Sequence, residues 1–116
     1  MTEKILIYLL EGCMYSQQII NMLRNEDYYY HIINVNVNDK GNYKLQNKMT
    51  TFPQIFFITS DVKYMIGGID NFKLLDNFIY NKKTFKNDFE ILKRNLDLDK
   101  KVLLRLIIYM NKKEEN

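Results

Sequence analysis

The sequence predicts an α/β fold: a four-stranded mixed sheet in βαβαββα order flanked by helices, with a C-terminal helical extension. Three observations predict it. Residues 5–10 form an unbroken apolar run which, with Lys4, is of strand length. Residues 29–37 alternate apolar and polar, and residues 17–25 between them carry Ile19, Ile20, Met22 and Leu23 at helical spacing. Strand, helix and strand in so short a stretch make a βαβ unit, whose right-handed crossover sets its two strands parallel.

The first strand has no polar alternation, so it belongs in the middle of the sheet, buried on both faces. The second places Ile33, Val35 and Val37 on one face and Asn34 and Asn36 on the other, the period of a half-covered strand. Residues 39–48 are polar, with Tyr43 and Leu45 as the main apolar members, and read as a short second helix. Residues 54–59 and 62–66 are strands separated by Ser60-Asp61, close enough for an antiparallel hairpin. Gly67-Gly68 ends the hairpin, and Asp70-Asn71 caps a third helix over residues 72–80, with Leu74, Leu75, Phe78 and Ile79 inward. Phe85, Phe89, Leu92 and Leu96 then recur as a helical stripe. Asp99 caps a last helix carrying Val102, Leu103, Leu106, Ile107 and Met110. A single domain over residues 1–116 is expected, its core in about residues 4–80 and its terminal helices over about residues 84–112.

At 47% hydrophobic and 27% charged the chain has an ordinary globular composition, which argues against long disorder or a fibrous repeat. The net charge of +3 is unevenly placed: residues 1–80 hold 7 basic and 8 acidic side chains, residues 81–116 hold 10 and 6. Lysine-rich helix faces are ordinarily solvated, so nucleic-acid binding is not expected. The N-terminal residues show no charged-then-apolar signal pattern. The longest late apolar stretch, residues 102–110, is broken by Arg105 and too short to cross a bilayer. No membrane partner is expected, and a soluble, cytoplasmic protein of a reducing compartment is.

Cys13, the one cysteine, stands in Gly12-Cys13-Met14-Tyr15-Ser16 between the first strand and the first helix. The first turn of a helix offers unpaired N–H groups and the positive end of the macrodipole, which favour a thiolate and make sulfur nucleophilic. The competing reading is an inert, buried, small apolar residue. Pro53, the one proline, lies in Thr51-Phe52-Pro53-Gln54 ahead of the third strand, a place where proline is tolerated without any function. His31 lies within the second strand, so an edge or core histidine is expected rather than a Cys-His pair. No metal-ligand cluster, Ser-His-Asp set or phosphate-binding glycine loop occurs.

Three segments together resemble motifs of the glutaredoxin branch of the thioredoxin-like superfamily. Cys13-Met14-Tyr15-Ser16 is similar to Cys-Pro-Tyr-Cys or Cys-Pro-Tyr-Ser, Thr51-Phe52-Pro53-Gln54-Ile55-Phe56 to Thr-Val-Pro-Gln-Ile-Phe, and Gly67-Gly68-Ile69-Asp70 to Gly-Gly-Cys-Asp or Gly-Gly-Ser-Asp. The resemblance covers residues 4–80. It implies a thioredoxin-like fold and glutathione-dependent thiol–disulfide exchange with Cys13 as nucleophile. Ser16 stands where dithiol members have their second thiol, and with no other cysteine a dithiol cycle within one chain is excluded. The implied mechanism is monothiol, with glutathione as co-substrate and glutathionylated or disulfide-bearing proteins as partners. The Ser16 hydroxyl would either donate toward the Cys13 sulfur or cap the first helical turn. Thr51, Phe52 and Pro53 would bind glutathione, the Phe52–Pro53 peptide being cis and its backbone pairing with the glutathione cysteine as an added strand. Gly67, Gly68 and Asp70 would hold the γ-glutamyl end, the alternative being a plain hairpin exit with an Asp cap. Tyr15 would line the same groove.

The departures bear on activity. The family often has lysine three residues before the reactive cysteine, where this chain has Leu10, followed by Glu11; this weakens the grip on the glycine carboxylate of glutathione unless Lys40, Lys44 or Gln46 compensates. Met14 replaces proline and Ile69 a smaller residue. A thioredoxin-like scaffold or partner-binding protein with little redox activity is the alternative function; Leu104 and Ile108 broaden the apolar face of the last helix, which would either cover the core or form a homodimer through the C-terminal helices. An iron–sulfur cluster held by two chains and two glutathiones is disfavoured, because the members that bind one carry Cys-Gly-Phe-Ser.

Overall fold

The computed structural model describes residues 3–24, 28–60, 62–80 and 85–111, with backbone alone for 85–87. Its elements are β1 (Lys4–Leu10), α1 (Met14–Leu23), β2 (Tyr30–Val35), a 3-10 turn (Val37–Asp39), α2 (Lys40–Asn47), β3 (Gln54–Ile58), β4 (Lys63–Gly67), α3 (Ile69–Tyr80), α4 (Phe85–Leu96) and α5 (Lys100–Met110). The strands form one sheet in the order β2-β1-β3-β4. β1 runs parallel to β2 and antiparallel to β3, and β3 and β4 pair antiparallel with a register shift between Ile55 and Phe56. This is the mixed, thioredoxin-like sheet that the sequence predicts.

The pleat of β1 divides the interior. Ile5, Ile7 and Leu9 join Ile55 and Phe57 in a core closed by Ile19 and Leu23 of α1, Phe72 and Leu75 of α3, Leu92 and Leu96 of α4, and Leu103 and Leu106 of α5. Leu6 and Tyr8 point the other way, to Val35, Phe52 and Phe56, with Tyr43 of α2 packed against them. The C-terminal helices therefore share the main core with the sheet, and each fully buried leucine there stabilises the fold by about 1.5–3 kcal/mol. Asp99 caps α5 as expected, accepting the Val102 N–H at 3.0 Å. Arg105 pairs with Glu3 at 2.5 Å, and the Tyr109 hydroxyl donates to the Tyr29 carbonyl. No helix among the described residues is long and apolar enough to cross a membrane.

Several boundaries differ from expectation. α1 starts at Met14, before residue 17, because Gly12 at φ 77° turns the chain directly after β1 and Cys13 takes the N-cap, its carbonyl accepting the Gln17 N–H at 3.1 Å. Asn25, the expected end of that helix, lies outside the described residues. β2 stops at Val35 rather than residue 37: the Asn36 side chain accepts the Asn38 N–H at 2.9 Å and opens the 3-10 turn, leaving Val37 exposed. Leu45 is 81% exposed, so of the two apolar residues only Tyr43 packs α2 against the sheet, its ring 5.4 Å from that of Tyr8. Asp70 and Asn71 lie inside the first turn of α3 instead of capping it. Gly67, at φ 126°, exits the strand so sharply that Gly68 already accepts the first helical hydrogen bond, from Phe72 at 3.1 Å. Asp61 of the hairpin turn and the Phe85 side chain lie outside the described residues.

Candidate active site

Because β1 and β3 are antiparallel, with Tyr8 opposite Gln54, the end of β1 and the start of β3 lie at the same rim of the sheet. That topology brings Cys13 to Phe52-Pro53: the Cys13 Sγ lies 3.9 Å from the Phe52 carbonyl oxygen. The Phe52–Pro53 peptide is cis. Cys13 is partly exposed and packs at the margin of the smaller core, in which Phe52 is buried. The backbone holds the turn on both sides, Cys13 N–H donating to Leu10 at 3.1 Å and Glu11 N–H to Val35 at 3.0 Å.

Ser16 has a partner that neither sequence reading named. It is buried, and its hydroxyl accepts the Leu10 N–H at 3.0 Å, tying the first turn of α1 to the end of β1.

A groove of about 450 Å³ runs beside the cysteine turn. Its walls are Tyr15, Thr51, Phe52, Gly68, Ile69, Asp70 and Asn71, so five of the expected site residues line one cleft. A Cβ on Gly68 would stand 3.6 Å from the Pro53 carbonyl, so the start of α3 closes directly on the proline turn. Gly67 is buried behind this wall, where its open conformation lets Asn71 reach back and donate to the Ile66 carbonyl at 2.9 Å. Asn71 thus joins the cleft through the early start of α3, which the expected Asp70-Asn71 cap concealed, while Ile69 lines it in place of the family's smaller residue.

A second groove, about 670 Å³, lies on the other flank of the turn, between Leu10 to Met14, Gln17 and Ile20 on one side and Asn34 to Asn36 on the other. Among the described residues its only charged wall residue is Glu11, and that of the first groove is Asp70. Lys40, Lys44 and Gln46 of α2 line neither groove. His31 is exposed on the edge strand β2, away from the sulfur. Among the described residues no three His, Cys, Asp or Glu side chains gather to hold a metal ion.

Residues 5–61 match the family model for glutaredoxin. The match takes in Cys13, Ser16 and the Thr51-Phe52-Pro53 turn and ends ahead of Gly67-Gly68. No curated protein matches the chain. A thioredoxin-like sheet with one cysteine at the head of α1, set against a cis-prolyl turn inside the matched segment, leads to one assignment: residues 5–61 are a glutaredoxin domain, of a family of thiol oxidoreductases.

Proposed function

We propose that the protein is a glutathione-dependent thiol–disulfide oxidoreductase that works by a monothiol mechanism at Cys13 and removes glutathione from mixed disulfides. The observation that carries this reading is the placement of a partly exposed Cys13 at the N-cap of α1, 3.9 Å from the Phe52 carbonyl and next to a cleft walled by Tyr15, Thr51, Phe52, Gly68 and Asp70. The N-cap position places Cys13 at the positive end of the α1 dipole. The backbone around Phe52 and Pro53 binds the cysteine of glutathione as an added strand, and the first-turn amides of α3 with Asp70 hold its γ-glutamyl end.

The thiolate attacks the glutathione sulfur of a mixed disulfide. The old S–S bond breaks, the protein thiolate leaves and takes a proton, and Cys13 becomes glutathionylated. A second glutathione thiolate then attacks the glutathione sulfur on Cys13, releasing oxidised glutathione and regenerating the Cys13 thiolate. In net, the mixed disulfide and one free glutathione give the protein thiol and oxidised glutathione, the free glutathione sulfur being oxidised as the protein sulfur is reduced. Residues 1–116 act as one domain in this reading, and the protein works in the cytoplasm.

The test is turnover of a glutathionylated peptide in reduced glutathione. Wild type releases the peptide thiol, and Cys13→Ser reduces the rate to the uncatalysed background. A wild type no faster than background at saturating glutathione overturns the reading.

A further inference from the structure

Asn47 ends α2 and Gln54 begins β3, so the two residues bracket the loop of residues 48–53 that carries Thr51, Phe52 and Pro53. Their side chains meet across its base, Asn47 Nδ2 donating to Gln54 Oε1 at 2.7 Å. Both are buried, Gln54 completely. Gln54 Nε2 then donates to the Met49 carbonyl inside the loop at 3.4 Å. On the other side Lys63, from the start of β4, donates its ammonium to Asn47 Oδ1 and to the Tyr8 hydroxyl, each at 2.9 Å. The same Nζ stands 4.5 Å from the centre of the Phe56 ring and 4.9 Å from that of Tyr8.

An ammonium has donors only, whereas a carboxamide has an acceptor end and a donor end. With Lys63 donating, Asn47 must turn its carbonyl to Lys63 and its NH2 to Gln54. Gln54 must then receive on its carbonyl and direct its own NH2 at Met49. The aromatic rings hold the cation in place by attraction to their faces. Without that cation only the Met49 carbonyl, through the 3.4 Å bond, fixes the direction, and both carboxamides gain access to flipped states in which Gln54 presents oxygen to that carbonyl and releases the loop.

We infer that Lys63 is a positioning residue for the candidate site: its charge sets the direction of the Lys63–Asn47–Gln54–Met49 relay, and the relay fixes the Thr51-Phe52-Pro53 loop against the cleft. The functional consequence rests on the glutathione reading of that cleft; the relay itself does not.

The experiment therefore has two arms on the full chain. In the first, side-chain amide signals of Asn47 and Gln54 and backbone signals of residues 49–52 are followed by hydrogen-exchange NMR in wild type, Lys63→Met, Lys63→Arg and Asn47→Asp. Wild type and Lys63→Arg keep the Asn47 and Gln54 amides protected. Lys63→Met, which retains the stem without the charge, exchanges them about tenfold faster and broadens residues 49–52. Asn47→Asp keeps the contact with Lys63 but cannot donate to Gln54, and loosens the same residues. Unchanged protection in Lys63→Met or in Asn47→Asp overturns the relay. In the second arm Lys63→Met raises KM for a glutathionylated peptide about tenfold with kcat nearly unchanged, and Lys63→Arg restores it. An equal fall in kcat and kcat/KM, or a KM that stays at the wild-type value while the loop signals broaden, overturns the positioning role. A wild type without turnover, with the relay intact by NMR, overturns the glutathione reading and leaves the relay standing.

Discussion

The hydroxyl of Ser16 accepts the backbone N–H of Leu10 at 3.0 Å, so the residue three places after Cys13 is bonded to the residue three places before it. The cysteine turn is a closed loop held at its base by one side chain. The serine that replaces a second thiol thus has structural work that a thiol, a weak acceptor, does poorly.

Ser16→Ala leaves a partly buried N–H without its acceptor and is expected to cost about 1 kcal/mol in folding stability. Urea denaturation measures it. Because the Ser16 bond runs to Leu10 and not to the sulfur, release of a glutathionylated peptide should fall by well under the loss expected for Cys13→Ser. A rate reduced to background by Ser16→Ala would instead place the hydroxyl in the chemistry.

Gly67 and Gly68 are adjacent yet should respond differently to alanine. At Gly67 a Cβ would stand 2.5 Å from Asn71 Nδ2, on a residue with φ 126°. Gly67→Ala is therefore strained in backbone and side chain, and a loss of about 1–3 kcal/mol is expected. It also breaks the Asn71 bond to Ile66 and shifts the cleft wall, so affinity for S-methylglutathione should drop with it. Gly68→Ala meets only ordinary contacts, at 3.6 Å, and should be nearly neutral. Equal melting temperatures for the two variants would contradict this geometry.

Burial, with the Glu3 and Tyr29 charges adding to it, pushes the Tyr109 phenol up from about 10 to about 12. The folded state thus favours the neutral form more than the unfolded state does. Its contribution to stability is complete below about pH 10 and is lost as pH rises toward 12. Chemical denaturation between pH 9 and 12 should show that decline, and Tyr109→Phe should flatten it. Since Tyr109 and Phe57 touch, with ring centres 5.7 Å apart, the decline should appear in one transition for the whole chain. A separate early transition of α5 would mean that the terminal helices unfold on their own.

Where a segment is buried on both faces or on one clean stripe, its place could be read from the sequence. β1 shows as an unbroken apolar run because helices cover one side and α2 with Phe52 the other. α5 shows because Leu103 and Leu106 repeat on the side that meets the sheet. The ends of elements were less legible, since single backbone contacts decide them: the Asn36 side chain stops β2, Gly12 advances α1, and Gly67 advances α3. The same limit applies to the site. Cys13, Pro53 and the glycine pair stand out as singular residues in motif order. Asn47, Gln54 and Lys63 are common residues whose meeting depends on three separate elements, and no local pattern marks them. Gln54 lay within a recognised motif, but its full burial beneath the loop shows only in three dimensions.

The opposite senses of β1 and β3 have one more consequence. Two chain turns far apart in sequence are delivered to a common lip by interior strands that take no part in the chemistry. Exposed residues at that lip are thus free to vary one at a time, and the surroundings of the thiol can be retuned by exchange of turn residues such as Glu11 or Met14 without repacking anything beneath them.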